Sequence, residues 1–116
     1  MRIDQQFDRV LDLVTPISTV RVLRDIAAER ERQNEKWGMQ LHPDGTSRDQ
    51  EGVASMARWI CDCNARDGNV TWRDILAEET CEAYAQEDPE ILRNELIQVA
   101  AVAAAWIEDI DSRDGT

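Results

Sequence analysis

Thr71-Trp72-Arg73-Asp74-Ile75-Leu76-Ala77-Glu78-Glu79-Thr80-Cys81-Glu82-Ala83-Tyr84-Ala85-Gln86 is the stretch on which the fold turns. Trp72, Ile75 and Leu76 recur at the three- and four-residue steps of one helix face, and the same steps run on to Glu79, Glu82 and Ala83. The stripe starts apolar and continues as carboxylate. After Pro89 the pattern repeats, with Ile91, Glu95, Gln98 and Val102 on one face. Ionised carboxylates on inward faces are costly unless paired or bound to a cation. Glu79, Glu82 and Glu95 therefore point to a divalent metal.

The spacing fits that reading. Glu79 and Glu82 lie about 4.5 Å apart along a helix axis, and Glu95 and Gln98 repeat the interval. The connection around Glu87-Asp88 is short, so the two helices are expected to form an antiparallel hairpin with Glu82 facing Glu95. Hard oxygen ligands in such a cluster suit Mg2+ or Mn2+, with water completing the shell.

Working outward, the whole chain reads as all-α, an antiparallel bundle of four to five helices, because no sustained alternation of β-branched and polar residues occurs. Asp88-Pro89-Glu90 opens the last helix with a capping Asp, a proline in the first turn and an acid near the positive dipole end; it is expected to run to about Asp111. Thr71 caps the helix before it, with Asp74 at the acidic capping position. Another helix is expected over about Ser47 to Arg66, with Val53, Met56, Ala57 and Ile60 inward, ended by Asp67-Gly68-Asn69. Before it, His42-Pro43-Asp44-Gly45 is turn sequence. A helix starting near Ser18 or Thr19, either one a possible cap, carries Val20, Leu23, Ile26 and Ala27 on its apolar face. It becomes a charged run through Lys36 and stops at Trp37-Gly38, with glycine as the terminating residue. Residues 1–17 form an arm or an extra helix, with Phe7, Val10, Leu11 and Val14 at helical spacing, cut off by Thr15-Pro16; residues 18–113 form the helical domain.

The 116 residues suffice for one modest core. A net charge of −11, from 24 acidic and 13 basic residues, argues against a nucleic-acid backbone or an anionic membrane as partner. No stretch approaches a bilayer span, and Met1-Arg2-Ile3-Asp4 is too polar for a signal peptide, so the expected location is the cytoplasm. Cys61 and Cys63 diverge on one helix and Cys81 stands alone. With His42 the only histidine, a Cys/His zinc site is poorly supported and the thiols read as reduced packing groups. From Leu96 to Ile107 only Gln98 is polar, which calls for burial on several faces; a homodimer or higher homo-oligomer is the expected explanation. Of the four tryptophans, Trp59, Trp72 and Trp106 lie on apolar faces and are expected in the core.

Glu79-Thr80-Cys81-Glu82 followed by Glu95-Leu96-Ile97-Gln98 resembles the ExxE…ExxD signature of the all-α nucleoside triphosphate pyrophosphohydrolases, the superfamily of MazG, the dimeric dUTPases and dCTP pyrophosphatase. Glu29 to Gly38 with His42-Pro43-Asp44-Gly45-Thr46, and the tail Val99 to Glu108, are similar to small MazG-like proteins of bacteria and phages, so that the resemblance covers roughly residues 20–110. It implies Mg2+-dependent hydrolysis of a nucleoside triphosphate to the monophosphate and pyrophosphate. Glu79, Glu82 and Glu95 would be the catalytic carboxylates, and these three with Gln98 the metal ligands. Glu78 is a further candidate base. Gln33, Lys36, Trp37 and His42 would bind the nucleotide: Trp37 stacking on the base, Gln33 on its edge, Lys36, with Arg32, on phosphate.

Gln98 stands where that signature has aspartate. A glutamine carbonyl still coordinates magnesium but brings no charge. Two readings follow, a nucleotide-pool enzyme with three carboxylates and one neutral ligand, or a nucleotide-binding sensor or sponge without turnover. A third, a helical oligomerisation module with solvated acids, predicts that metal leaves the melting temperature unchanged, whereas a metal site raises it.

Overall fold

A computed structural model describes residues 15–114. Among the described residues there are four α-helices and one 3-10 turn, and no strand: α1 (Ile17–Trp37), the 3-10 turn (Arg48–Gln50), α2 (Glu51–Arg66), α3 (Trp72–Tyr84) and α4 (Pro89–Asp114). The expected all-α class holds. The helix expected around Phe7 to Val14 lies outside the described residues. Two compact units are present, one containing α1 with the end of α4 from Ile107, the other Pro43–Trp106.

In the first unit, Ser18 and Thr19 do not cap α1 as expected. Pro16 holds the N-cap position. Both hydroxyls donate instead to Glu108 Oε1, at 2.9 and 2.7 Å. A Ser or Thr inside the first turn has its side chain free for a distant acceptor, and here Glu108 takes both. Val20 and Val22 are each only 1% exposed, although two residues apart puts them on nearly opposite sides of the helix. Leu23 and Ile26, expected on the same face as Val20, are both exposed. At the far end Gly38 N–H closes on the Asn34 carbonyl at 2.8 Å. Its φ of 68° with ψ of −163° is a combination essentially confined to glycine, which is why the helix stops there.

In the second unit the start signals worked. Thr71 Oγ1 accepts from Asp74 N–H, and Asp74 Oδ2 accepts from Thr71 N–H, a reciprocal capping box for α3. Asp88 Oδ1 accepts from Glu90 N–H at 2.8 Å and opens α4 around Pro89. Ser47 caps the 3-10 turn, and its N–H reaches the Tyr84 carbonyl at the end of α3. Ala83 and Ala85 are buried where α3 passes into the short connection to α4; small residues let the chain turn tightly there.

The inner face of α2 is a correction. Val53, Met56 and Ile60 are exposed, Met56 by 57%, and Trp59 by 62%. The buried positions are Ala54 and Cys61, with Ala57, Cys63 and Asn64 half-buried. The helix is turned about one residue, or 100°, from the expected setting. The reason lies in α3, which offers carboxylates to α2. Asn64 Nδ2 donates to Asp74 Oδ2 at 3.0 Å, and Arg58 donates to Glu82. These pairings need the small and polar side of α2 inward, which turns its large apolar residues out. Trp72 and Trp106, unlike Trp59, are half-buried. On α4, Leu92 and Ala104 are buried while Leu96 and Ile97 stand half-exposed, so the apolar band is not enclosed within one chain.

Asn64, followed by the Thr71 N–H, holds the Asp74 carboxyl below its ordinary 3.8. A lowered carboxyl stabilises the fold above that value and loses its contribution as pH falls through the folded one. Thr71→Ala should therefore cost about 1 kcal/mol. Asp74→Ala should lower the melting temperature at pH 7, by a margin that closes below pH 3.8. Thermal melts followed by circular dichroism across this range check both.

Candidate metal centre

Glu79 and Glu82 lie one turn apart on α3, and the short connection returns the chain so that Glu95 of α4 meets them. One carboxylate oxygen from each of the three lies within 4.8 Å of the other two, and all three side chains are half-buried. This is the trio expected from the sequence. Acidic groups this close repel, and Glu79 feels it. Burial first, then the charges of Glu82, Glu78 and Glu95, lift its carboxyl above the ordinary 4.5. A raised carboxyl favours the fold below pH 4.5 and loses that contribution as pH rises through its folded value. At neutral pH the ionised Glu79 therefore opposes folding unless a positive charge beyond that of Arg58, which lies on Glu82, offsets it.

The donor set suits such a charge. Three hard anionic oxygens on two helices, half-shielded from water, match what Mg2+ or Mn2+ accepts, and their spacing allows one ion to be shared. Gln98, one turn beyond Glu95, is exposed.

Glu78 is turned toward α2. It lies 4.0 Å from Arg58 Nε and accepts from the Cys61 thiol. Burial, with the Glu78 hydrogen bond and charge added, pushes that thiol up to about 11. The three cysteines are free, Cys61 buried and the other two half-buried.

Arg58 is the residue that sequence reasoning missed. Its Nε and Nη2 both donate to Glu82 Oε1, at 3.1 and 2.8 Å. The signal was available: Arg58 follows Ala54 by four residues and precedes Cys61 by three, which puts a cation on the face of small residues. Choosing the face by the bulkiest apolar residues hid it.

Gln33, Lys36, Trp37 and His42 belong to the other unit. Lys36 Nζ sits 4.8 Å from the centre of its neighbour's indole ring, a cation–π contact, and Trp37 is exposed. Gln33 accepts from Arg30 at 2.6 Å. It lines an open groove of about 680 Å³ with Arg30, Asn34 and Gln40, and a second of about 560 Å³ with Arg32, Lys36 and Trp37. His42 pairs with Gln40 at 3.1 Å and is exposed. Comparison with protein-family models, curated proteins and solved structures found no match to this chain. Among the described residues no helix is long and apolar enough to cross a membrane.

Two outcomes are expected. Glu79→Gln should raise the melting temperature in EDTA, because it removes one of three crowded charges, and should abolish any rise produced by Mg2+. In the parent protein, Mg2+ at a hundred times its Kd should stabilise by about 2.7 kcal/mol. Separately, mass spectrometry after brief alkylation at pH 8 should find Cys63 and Cys81 modified ahead of Cys61.

Proposed function

We propose that this protein is a nucleoside triphosphate pyrophosphohydrolase that uses Mg2+ or Mn2+, acting on the nucleotide pool. The observation that carries the reading is the meeting of Glu79, Glu82 and Glu95 with oxygens within 4.8 Å. These are the first three acids of the ExxE…ExxD signature that the sequence resembles, with Gln98 in place of the last. Glu79, Glu82 and Glu95 would hold the cation. When bound, a divalent ion neutralises phosphate charge and makes water a better nucleophile.

The side chains of the protein then divide the remaining work. The carboxylates hold the cation side of the substrate at the hairpin and keep a half-buried surface around it. One of the three would take a proton from water. Glu78 is occupied by Cys61 and Arg58, which favours the trio over it as the source of the base. The resemblance gives nucleotide contacts to Gln33, Lys36, Trp37 and His42 of the other unit, where Lys36 lies over the exposed Trp37 ring.

A second reading rests on Gln98. It brings no charge beside Glu95, and this favours a nucleotide binder with a weakened metal site. The half-exposed apolar band of α4 and the outward Val53, Met56, Trp59 and Ile60 of α2 support a homo-oligomer that covers them, since uncovered apolar patches of this kind mark interfaces.

The deciding experiment is pyrophosphate release from canonical, deoxy and modified nucleoside triphosphates, with Mg2+, Mn2+ or EDTA. Hydrolysis that disappears in EDTA and falls by about a hundredfold or more in Glu79→Gln is the expected result. Nucleotide binding without product, with hydrolysis gained in Gln98→Asp, would establish the binder instead. For the assembly, Met56→Glu with Ile60→Glu should shift the mass in solution, measured by light scattering, toward the monomer.

A further inference from the structure

Arg58 is a cation in direct contact with the carboxylate cluster that the mechanism above leaves unused. It reaches from α2 to α3 and places two N–H donors on one oxygen of Glu82, with Glu78 at 4.0 Å and Asp62 also acting on its charge. It is not a buried structural ion pair, since its side chain is 51% exposed while that of Glu82 is 20% exposed. Exposed pairs contribute little to stability, so folding alone gives a weak reason for the contact. Glu82 therefore belongs to two groups at once: the trio that would share a cation, and the pair with Arg58.

Beside the pair lies a recess of about 280 Å³ lined by Glu51, Ser55, Arg58, Glu82 and Gln86. The guanidinium thus borders solvent-accessible space next to the carboxylates. Three of its five donors remain beyond the two spent on Glu82, and its planar fork matches phosphate oxygens as well as it matches a carboxylate. The recess has room for a phosphate group.

We infer that Arg58 is a built-in counter-cation, competing with the divalent ion for Glu82 and, once displaced, taking the phosphate that the ion accompanies. This deepens the pyrophosphohydrolase reading and rests on it. A guanidinium on Glu82 lowers the negative charge available to a metal, so metal alone binds weakly. A polyphosphate draws Arg58 away and frees Glu82, so metal and polyphosphate each strengthen the binding of the other. Linkage requires the effect to be reciprocal. The site would fill with the pair together, and the substrate class is a metal-chelated oligophosphate.

The test uses Mn2+ alone, followed by the electron paramagnetic resonance of the free ion, and then tripolyphosphate binding to the Mn2+-loaded protein by calorimetry. Arg58→Gln should bind Mn2+ about fivefold more tightly than the parent, and tripolyphosphate about fivefold more weakly, the lower end of usual coupling between sites. Arg58→Lys, which keeps the charge and loses the fork, should fall between, and carries the test if the glutamine variant does not fold. A structural contact would move neither affinity, or both in the same direction. Mn2+ binding that is unchanged or weakened in a folded Arg58 variant, yet lost in Glu79→Gln, overturns the competition and leaves the metal centre standing. If the parent binds no Mn2+, or Glu79→Gln binds it equally well, the metal reading falls and this inference with it.

Discussion

Like charges forced together at one hairpin are the constraint around which the second unit is arranged. The capped starts of α3 and α4 fix where each helix begins, and the tight connection fixes how they return on each other. Between them they leave Glu79, Glu82 and Glu95 little choice but to meet. What surrounds the trio reads as a response to that charge. Arg58 lies on Glu82, Glu78 is drawn off to α2, and the Cys61 thiol gives a hydrogen bond to Glu78 rather than ionising. The side of α2 that faces α3 is small and polar because carboxylates face it.

That arrangement explains an apparent waste. A chain with so many large apolar residues leaves Val53, Met56, Trp59 and Ile60 in solvent, along with Leu96 and Ile97. The inward positions of α2 are committed to Ala54, Arg58, Cys61 and Asn64, so the bulky residues have only the outer face. The Arg58–Glu82 contact and the apolar surface on the outside both go with one setting of a helix.

Much of this was legible in the sequence. Thr71 with Asp74, Asp88 with Pro89, and Gly38 mark helix ends through local hydrogen bonding and backbone freedom, which a linear reading captures. The carboxylate trio was legible because helical spacing and a short turn are also local. The setting of α2 was not. Hydrophobic periodicity assumes that bulk goes inward, and it fails when the neighbouring helix offers anions. Ser18 and Thr19 misled for a related reason: their acceptor, Glu108, is some ninety residues away. Arg58 went unnoticed because its partner lies on another helix, and nothing within its own segment declares a pair.

Ala83, wholly buried beside Glu82, and Ala85, just beyond the end of α3, have one more consequence. Both are buried at the end of the hairpin where the helices are joined. Bulk added at these points would bear on how near Glu95 comes to the glutamates of α3. Ions differ in the separation they want, about 2.0–2.1 Å to oxygen for magnesium against 2.3–2.6 Å for calcium. Were the proposed centre to hold an ion, two buried methyl groups that do not touch it would bear on the size it accepts.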